Sequence, residues 1–295
     1  MERDYSGFCH NGASYRVEYN TLPTGVDLLC VVFTSAGVGD SVPIVFIPGL
    51  ISIIENFRET LVELTRGHTV YYLETREKGS AGINSRHSFS VEDIASDVVR
   101  FVELKFSKDE PYILAGYSLG ATAIIEAFAG LTNKPDAVIL VQPNGSFPFN
   151  RWLLALARVA KYVYKPVKPI LKWYLRNFAI DMERDREMYL INCRNLDTAE
   201  PDRLGKAVRD LSRYRIGDEL AKVSVPSLVV VASGDRFHNH TEGEAIARQI
   251  KNSCYLDMTD NRRTHSAGMA QEMEKFISSR VRRLIQEDLP LQEIF

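Results

Sequence analysis

Short apolar segments alternate with segments of helical periodicity along most of this chain. Residues 42–47 are apolar on both faces and rich in β-branched side chains, which is typical of a strand buried in a parallel sheet, and 112–115 and 137–141 are two further apolar segments that we predict to be strands. Helical patterns fill the intervals, and one of them begins at Ser90 with Asp93 at capping-box spacing. This order predicts an α/β fold with a mostly parallel central sheet and helices on both faces.

The alternation is interrupted once, after the sixth predicted strand. Residues 146–222 show mainly helical patterns before the strand pattern resumes near Val225. We therefore predict a core made of residues 1–145 and 223–295, with 146–222 inserted as a helical cap, or lid. The five other predicted strands are 13–20, 26–34, 69–74, 227–232 and 254–258.

The composition argues against several classes of protein. The formal net charge is -2, whereas a nucleic-acid-binding protein usually carries a basic excess. The four cysteines lie far apart and lack the close spacing of a zinc or redox motif. The first residues contain acids and no apolar core, and no apolar run is long enough to span a bilayer, so we expect a cytoplasmic protein.

A single pentapeptide carries the clearest chemical signal. Residues 116–120, Gly-Tyr-Ser-Leu-Gly, match G-x-S-x-G between a predicted strand and a predicted helix. Such a turn strains the serine backbone and leaves room only for small neighbours, which Gly116 and Gly120 provide. The motif alone also occurs by chance, but its strand–turn–helix context favours a nucleophile at Ser118, exposed beside a helix N-terminus.

A serine hydroxyl is a weak nucleophile unless a base activates it and an acid orients that base. Three histidines follow Ser118 in the chain, namely His238, His240 and His265. His265 comes directly after the last predicted strand, where an imidazole can return over the elbow, and we predict that it is the base. We interpret His238 and His240 as surface or helix-capping residues, since two histidines without further ligands are a weak metal site.

Asp235 is the predicted acid. It ends a Ser-Gly-Asp turn after strand 227–232, at the carboxyl edge of the sheet where α/β sites form. Asp257 and Asp260 remain alternatives, whereas residues 142–144, after the sixth strand, offer no carboxylate. Asp235 also keeps the chain order in which the serine precedes the acid and the acid precedes the histidine.

Two backbone donors are expected to stabilise the oxyanion of the reaction. One is the N–H of Leu119, which follows the nucleophile, and the other is the N–H of Leu50, which follows Pro48-Gly49 at the end of a strand. Gly49 lets the backbone come close to the reacting atoms.

Together these segments resemble the α/β-hydrolase superfamily, in particular its lid-bearing esterase, lipase and peptidase-like branch. The resemblance implies a serine hydrolase that cleaves a carboxylic ester through an acyl-enzyme on Ser118, without a metal or a cofactor. Thioester hydrolysis or acyl transfer by the same triad, and a non-catalytic ligand-binding protein on this fold, remain alternatives. Two positions depart from the family pattern, because Pro48 replaces a frequent histidine and Glu74 replaces a frequent aspartate. The matching segments are the strand that ends at Pro48-Gly49-Leu50, then 72–79, 116–120, 225–230 with Gly234-Asp235, and His265.

Residues 147–180 of the predicted cap have an unusual composition. They contain seven lysines and arginines, no acid, and both tryptophans of the chain, Trp152 and Trp173. We predict that these tryptophans and Tyr117 contact a hydrophobic acyl substrate. A basic amphipathic helix can also lie on an anionic membrane, although a solvated face on a cap is the simpler interpretation. The sequence carries no prediction of oligomeric state.

Overall fold

The computed structural model describes residues 3–35, 37, 41–83, 87–180, 182–183, 185–235 and 238–287, and their side chains except those of 179 and 281–287. Eight strands lie within a few residues of the eight predicted segments, and the predicted α/β fold is confirmed. They are β1 (Ser14–Thr21), β2 (Asp27–Thr34), β3 (Ile44–Ile47), β4 (Val70–Leu73), β5 (Ile113–Tyr117), β6 (Ala137–Val141), β7 (Ser227–Val231) and β8 (Ser253–Asp257).

All eight strands belong to one sheet, with the order β1-β2-β4-β3-β5-β6-β7-β8. The pairs β1–β2 and β2–β4 are antiparallel, and every other neighbouring pair is parallel. Parallel strands all end at one edge of a sheet, so the residues that follow β5, β6 and β7 lie next to one another. This edge is where the chemically interesting side chains converge.

Helices cover both faces of the sheet, which explains why β3, β5 and β6 are buried along their whole length. The spacing of Ser90 and Asp93 is confirmed as a cap, because the Ser90 hydroxyl accepts a hydrogen bond from the Asp93 backbone N–H at 3.2 Å. The α-helices are α1 (Arg58–Leu64), α2 (Val91–Lys105), α3 (Leu119–Ala127), α4 (Arg151–Arg158), α5 (Ala160–Tyr174), α6 (Arg186–Thr198), α7 (Pro201–Leu211), α8 (Glu219–Lys222), α9 (His240–Gln249) and α10 (Ala267–Glu287).

Helices α4 to α8 lie between β6 and β7, in the interval for which a helical insertion is predicted. The division of the chain into a core and a cap remains a prediction, and we use "cap" below for residues 146–222. Helices α4 and α7 cross closely at Gly205. A Cβ atom at this position would lie 2.4 Å from the Ala157 carbonyl oxygen, so the crossing requires a glycine. Among the described residues, no helix has both the length and the apolar character that crossing a bilayer requires.

Candidate active site

Ser118 occupies a sharp turn between β5 and α3. Its backbone φ of 51° and ψ of -112° lie in a region that residues other than glycine rarely adopt. The neighbouring glycines are required by close packing, since a Cβ at Gly120 would lie 2.3 Å from the Ile47 carbonyl oxygen and one at Gly116 would lie 2.6 Å from the Ala121 nitrogen. The turn therefore has the strain and the crowding that are typical of a nucleophile elbow.

His238 joins Ser118 to Asp235 through two hydrogen bonds. Its Nε2 atom lies 3.0 Å from Ser118 Oγ, and its Nδ1 atom lies 2.6 Å from Asp235 Oδ2. The Asp235 side chain, just after β7, is 1% exposed, so this contact is shielded from water. When Nδ1–H donates to the carboxylate, Nε2 is left with a lone pair that accepts the Ser118 hydroxyl proton. The side chains of Asp235, His238 and Ser118 thus form a continuous chain of hydrogen bonds, which has the geometry of a catalytic triad.

His265, which the sequence analysis assigns as the base, does not occupy the position between Ser118 and Asp235. It lies in a short turn before α10, with its ring stacked on Tyr117 at a centroid distance of 5.3 Å. Its Nδ1 atom is buried and has no hydrogen-bond partner among the described residues. His238 fills the position because it follows Asp235 closely and returns over the elbow. Either histidine satisfies the Ser–Asp–His order, so chain order did not distinguish them.

His265 is held as a neutral ring. Burial, with a smaller contribution from the nearby His238, lowers the pKa of His265 to about 4 against the opposing effect of Asp235. The imidazole is therefore uncharged near neutral pH, and it packs like an aromatic side chain against Tyr117 and Phe57. His265 therefore serves as a packing residue beside the hydrogen-bonded side chains of Ser118, His238 and Asp235.

Two amide side chains that follow β6 form hydrogen bonds with Ser118 and Asp235. Asn144 Nδ2 donates to Ser118 Oγ at 3.1 Å, and Gln142 Nε2 donates to Asp235 Oδ2 at 2.6 Å. Strand β6 lies between β5 and β7, so residues at its end reach both neighbours. Neither residue is predicted from the sequence, because only a carboxylate was expected to serve the site at the end of this strand. Their position at the end of a predicted central strand, where the side chains of α/β active sites converge, was the feature of the sequence that could have indicated them.

The loop after β3 approaches the elbow from the other side. A Cβ at Gly49 would lie 3.2 Å from Ser118 Cβ, so this position requires glycine or a shift of its neighbours. The Gly49 carbonyl accepts a hydrogen bond from the buried Lys78 ammonium at 2.7 Å. The backbone N–H groups of Leu50 and Leu119 donate no hydrogen bond to any described residue. Two unused donors therefore lie in the segments that flank Ser118.

Lys78 belongs to a loop that is fixed by charged contacts. Arg76 binds Asp97 of α2 through two nitrogen atoms at 2.6 Å and 2.7 Å, and both side chains are buried. The Lys78 ammonium is also paired with Glu77 at 3.3 Å. Breaking a buried ion pair of this kind leaves an uncompensated charge, so the loop has one strongly preferred arrangement.

The structure does not support the predicted substrate contacts. Tyr117 is 2% exposed, and its ring packs among those of Phe46, Phe57 and His265. Trp152 and Trp173 are each 58% exposed on α4 and α5. Their side chains therefore face solvent and are not enclosed in a binding pocket. Aromatic content alone could not indicate which face of the cap helices would be covered.

Comparison with known proteins places the chain in a family. A family model described as serine aminopeptidase, S33, matches residues 42–262, which is most of the chain. The chain belongs to this family of α/β hydrolases. No curated protein matches the sequence of this hydrolase.

Solved structures share the fold of this hydrolase at low sequence identity. An enol-lactonase from Burkholderia xenovorans LB400 is 17% identical with a TM-score of 0.72, over 88% of this chain and 100% of that one. A thermophilic esterase from Thermogutta terrifontis is 17% identical with a TM-score of 0.73, over 90% and 98%. An esterase from Exiguobacterium antarcticum is 14% identical with a TM-score of 0.72, over 90% and 100%. These likenesses show the fold alone.

Proposed function

We propose that this hydrolase cleaves a carboxylic ester through an acyl-enzyme on Ser118. The observation that carries the proposal is the 3.0 Å contact between Ser118 Oγ and His238 Nε2, with Asp235 bound to the other imidazole nitrogen at 2.6 Å. A hydroxyl held on the lone pair of a neutral imidazole is an activated nucleophile. The fold neighbours named above are a lactonase and two esterases, which favours an ester as the substrate.

In the first step, His238 takes the proton from Ser118 while the serine oxygen attacks the ester carbonyl carbon. Asp235 holds the imidazole in the required tautomer and stabilises the imidazolium that forms. Gln142 donates to the same carboxylate oxygen and so restrains its orientation. The negative charge that develops on the carbonyl oxygen is stabilised by the backbone N–H groups of Leu50 and Leu119.

The imidazolium of His238 then gives its proton to the leaving alkoxide as the carbon–oxygen bond to the alcohol breaks. This step completes the acyl-enzyme. Water then enters, loses a proton to His238 and attacks the acyl carbon. The serine oxygen leaves, recovers its proton from His238, and the carboxylic acid is released. Asn144 donates to Ser118 Oγ in the resting state, which keeps the oxygen in line with the imidazole.

The assignment of the base is tested by labelling with a fluorophosphonate probe, which reacts only with an activated serine. We expect labelling of the wild type and its loss in Ser118→Ala and His238→Ala, whereas His265→Gln should still be labelled. The exposed His240, two residues after His238 at the start of α9, provides the matched control as His240→Ala. Loss of labelling in His265→Gln with retention in His238→Ala would instead identify His265 as the base.

The substrate class is tested with p-nitrophenyl esters of graded chain length, matching thioesters and aminoacyl p-nitroanilides. We expect ester turnover with kcat reduced by roughly 10⁴-fold or more in Ser118→Ala. The anilide is included because the matching family is described as serine aminopeptidase. Preference for a thioester or an anilide would replace the ester proposal. The absence of both labelling and turnover would favour a non-catalytic ligand-binding protein.

A further inference from the structure

The solvent-facing side of the first two cap helices is unusually apolar. Of the twelve large apolar side chains that are exposed in the described part of the chain, seven lie within residues 151–178. We call the exposed side chains of 151–178 the outer cap surface. Exposed apolar residues are usually scattered singly, so a concentration of this kind marks an interaction surface. The seven are Trp152, Val159, Tyr162, Ile170, Trp173, Tyr174 and Phe178.

This outer surface is additional to the apolar face with which the same helices pack. Side chains such as Leu156 and Val163 line a small apolar cavity together with Leu204 and Val208 of α7. Tyr164 is buried on that inner side and donates to the Leu196 carbonyl at 2.6 Å. Helices α4 and α5 therefore already bury one apolar face, and packing among the described residues does not account for the outer one.

Positive charge is interleaved with the exposed aromatic rings. Arg151, Arg158, Lys161 and Lys165 are exposed, and none of them forms an ion pair with a described residue. By contrast, Lys168 and Lys172 both pair with Asp197, at 2.8 Å and 2.7 Å. No acid lies between residues 147 and 180 to offset the four free cations. The outer cap surface is therefore both apolar and positively charged.

We propose that the outer cap surface binds the surface of a membrane that contains anionic lipids. Tryptophan and tyrosine rings favour the level of the lipid head groups, where the ring is in an apolar environment and the polar atom is hydrated. Lysine and arginine side chains extend from the same depth to lipid phosphates. A helix with cations and aromatic rings on one surface lies in the plane of the interface without crossing the bilayer. The proposal does not depend on the catalytic assignment.

Intrinsic fluorescence tests the proposal without a label, because Trp152 and Trp173 are the two tryptophans of the chain and both lie on the outer cap surface. The protein is mixed with vesicles of phosphatidylcholine alone, or of phosphatidylcholine with phosphatidylglycerol. We expect a blue shift of the emission and co-flotation of the protein with the anionic vesicles, with both effects reduced by salt. No binding to anionic vesicles at low salt would overturn the proposal.

Charge-reversal variants locate the binding surface. The pair Lys161→Glu and Lys165→Glu should weaken binding by roughly 30-fold or more, because each basic residue near an anionic surface contributes about 1 kcal/mol. Lys108 and Lys251 are exposed lysines outside the cap without an ion pair among described residues, so Lys108→Glu with Lys251→Glu changes the net charge equally. Equal weakening by the two pairs would show an effect of net charge alone and would contradict the proposed surface.

A third variant separates a membrane from a soluble polyanion. Tyr162 is 78% exposed, so Tyr162→Ser removes an aromatic ring from the surface without opening a cavity. It should weaken binding to vesicles severalfold and leave both tryptophans in place as reporters. If heparin without lipid produced the same blue shift, or if Tyr162→Ser bound vesicles as tightly as the wild type, the surface would be a general polyanion site and the proposal would fail.

Discussion

The Lys78 ammonium donates a hydrogen bond of 2.7 Å to the carbonyl oxygen of Gly49. The same peptide unit carries the N–H of Leu50, and the described chain contains no cis peptide bond. In a trans peptide the C=O and the N–H point in opposite directions, so Lys78 fixes the direction of the proposed oxyanion donor. A positive charge at the carbonyl oxygen also polarises the peptide and strengthens its N–H as a donor.

The variant Lys78→Met should lower kcat for ester hydrolysis by roughly 10- to 100-fold, with little change in KM. The reason is that the contact acts on the oxyanion, which develops only in the transition state. Lys134 also donates to a backbone carbonyl, that of Phe128, but lies away from the elbow, so Lys134→Met is the matched control. Steady-state kinetics on protein of verified fold measures the effect. A lower melting temperature with unchanged kcat would indicate a purely structural role for Lys78.

Gln142 should support the reaction through Asp235, to which it donates at 2.6 Å. Gln142→Leu removes this donor to a buried carboxylate and should lower kcat about 10-fold or more at every pH. Gln142→Glu places a second carboxyl group beside Asp235, and the two groups then share one proton. The activity of this variant relative to the wild type should therefore fall as pH rises. A pH-independent ratio would contradict the proposed contact.

Gly120 should not accept a side chain. A Cβ at this position would lie 2.3 Å from the Ile47 carbonyl oxygen and 2.7 Å from that of Pro48, and these are backbone atoms that cannot rotate away as a flexible side chain can. Gly120→Ala should therefore reduce the free energy of unfolding by about 3 kcal/mol or more. Gly67 has no atom within 4 Å of the same point, so Gly67→Ala should change the free energy by less than about 1 kcal/mol. Denaturant titration of the two variants measures the difference.

His265 should make the folded state sensitive to acid. Burial keeps its pKa at about 4, whereas the pKa of a histidine in the unfolded chain is near its ordinary value of 6.5. Between these two pH values the unfolded state binds a proton that the folded state does not, so the free energy of unfolding decreases as pH falls, by up to about 3 kcal/mol. The effect fades as pH rises above 6.5, where the unfolded histidine also loses its proton.

The pH dependence is measured by denaturant titration from neutral pH to about pH 4, where the folded-state group begins to protonate. His265→Phe keeps an aromatic ring against Tyr117 and should flatten the decrease in stability. His240 is exposed, so His240→Gln should leave the wild-type slope unchanged. An unchanged slope in His265→Phe would show that other groups cause the acid sensitivity.

Several features of this protein follow from its sequence, because the physical requirement behind each is local. Strand and helix periodicity predicts all eight strands and a mostly parallel sheet, since the spacing of apolar residues shows whether a segment is buried on one face or on both. The turn around Ser118 needs glycines within two residues, and Asp235 follows a strand directly. Such features involve neighbours in the chain, and a pattern of residue types is sufficient to predict them.

The tertiary structure decided the rest. The choice between His238 and His265 depended on which imidazole lies between Ser118 and Asp235, which chain order does not specify. The contacts of Gln142 and Asn144 depended on β6 lying between β5 and β7. The exposure of the cap tryptophans depended on which helix face packs on α7. Each of these facts depends on contacts between residues distant in sequence, and residue types alone do not determine such contacts because the same pattern is compatible with several packings.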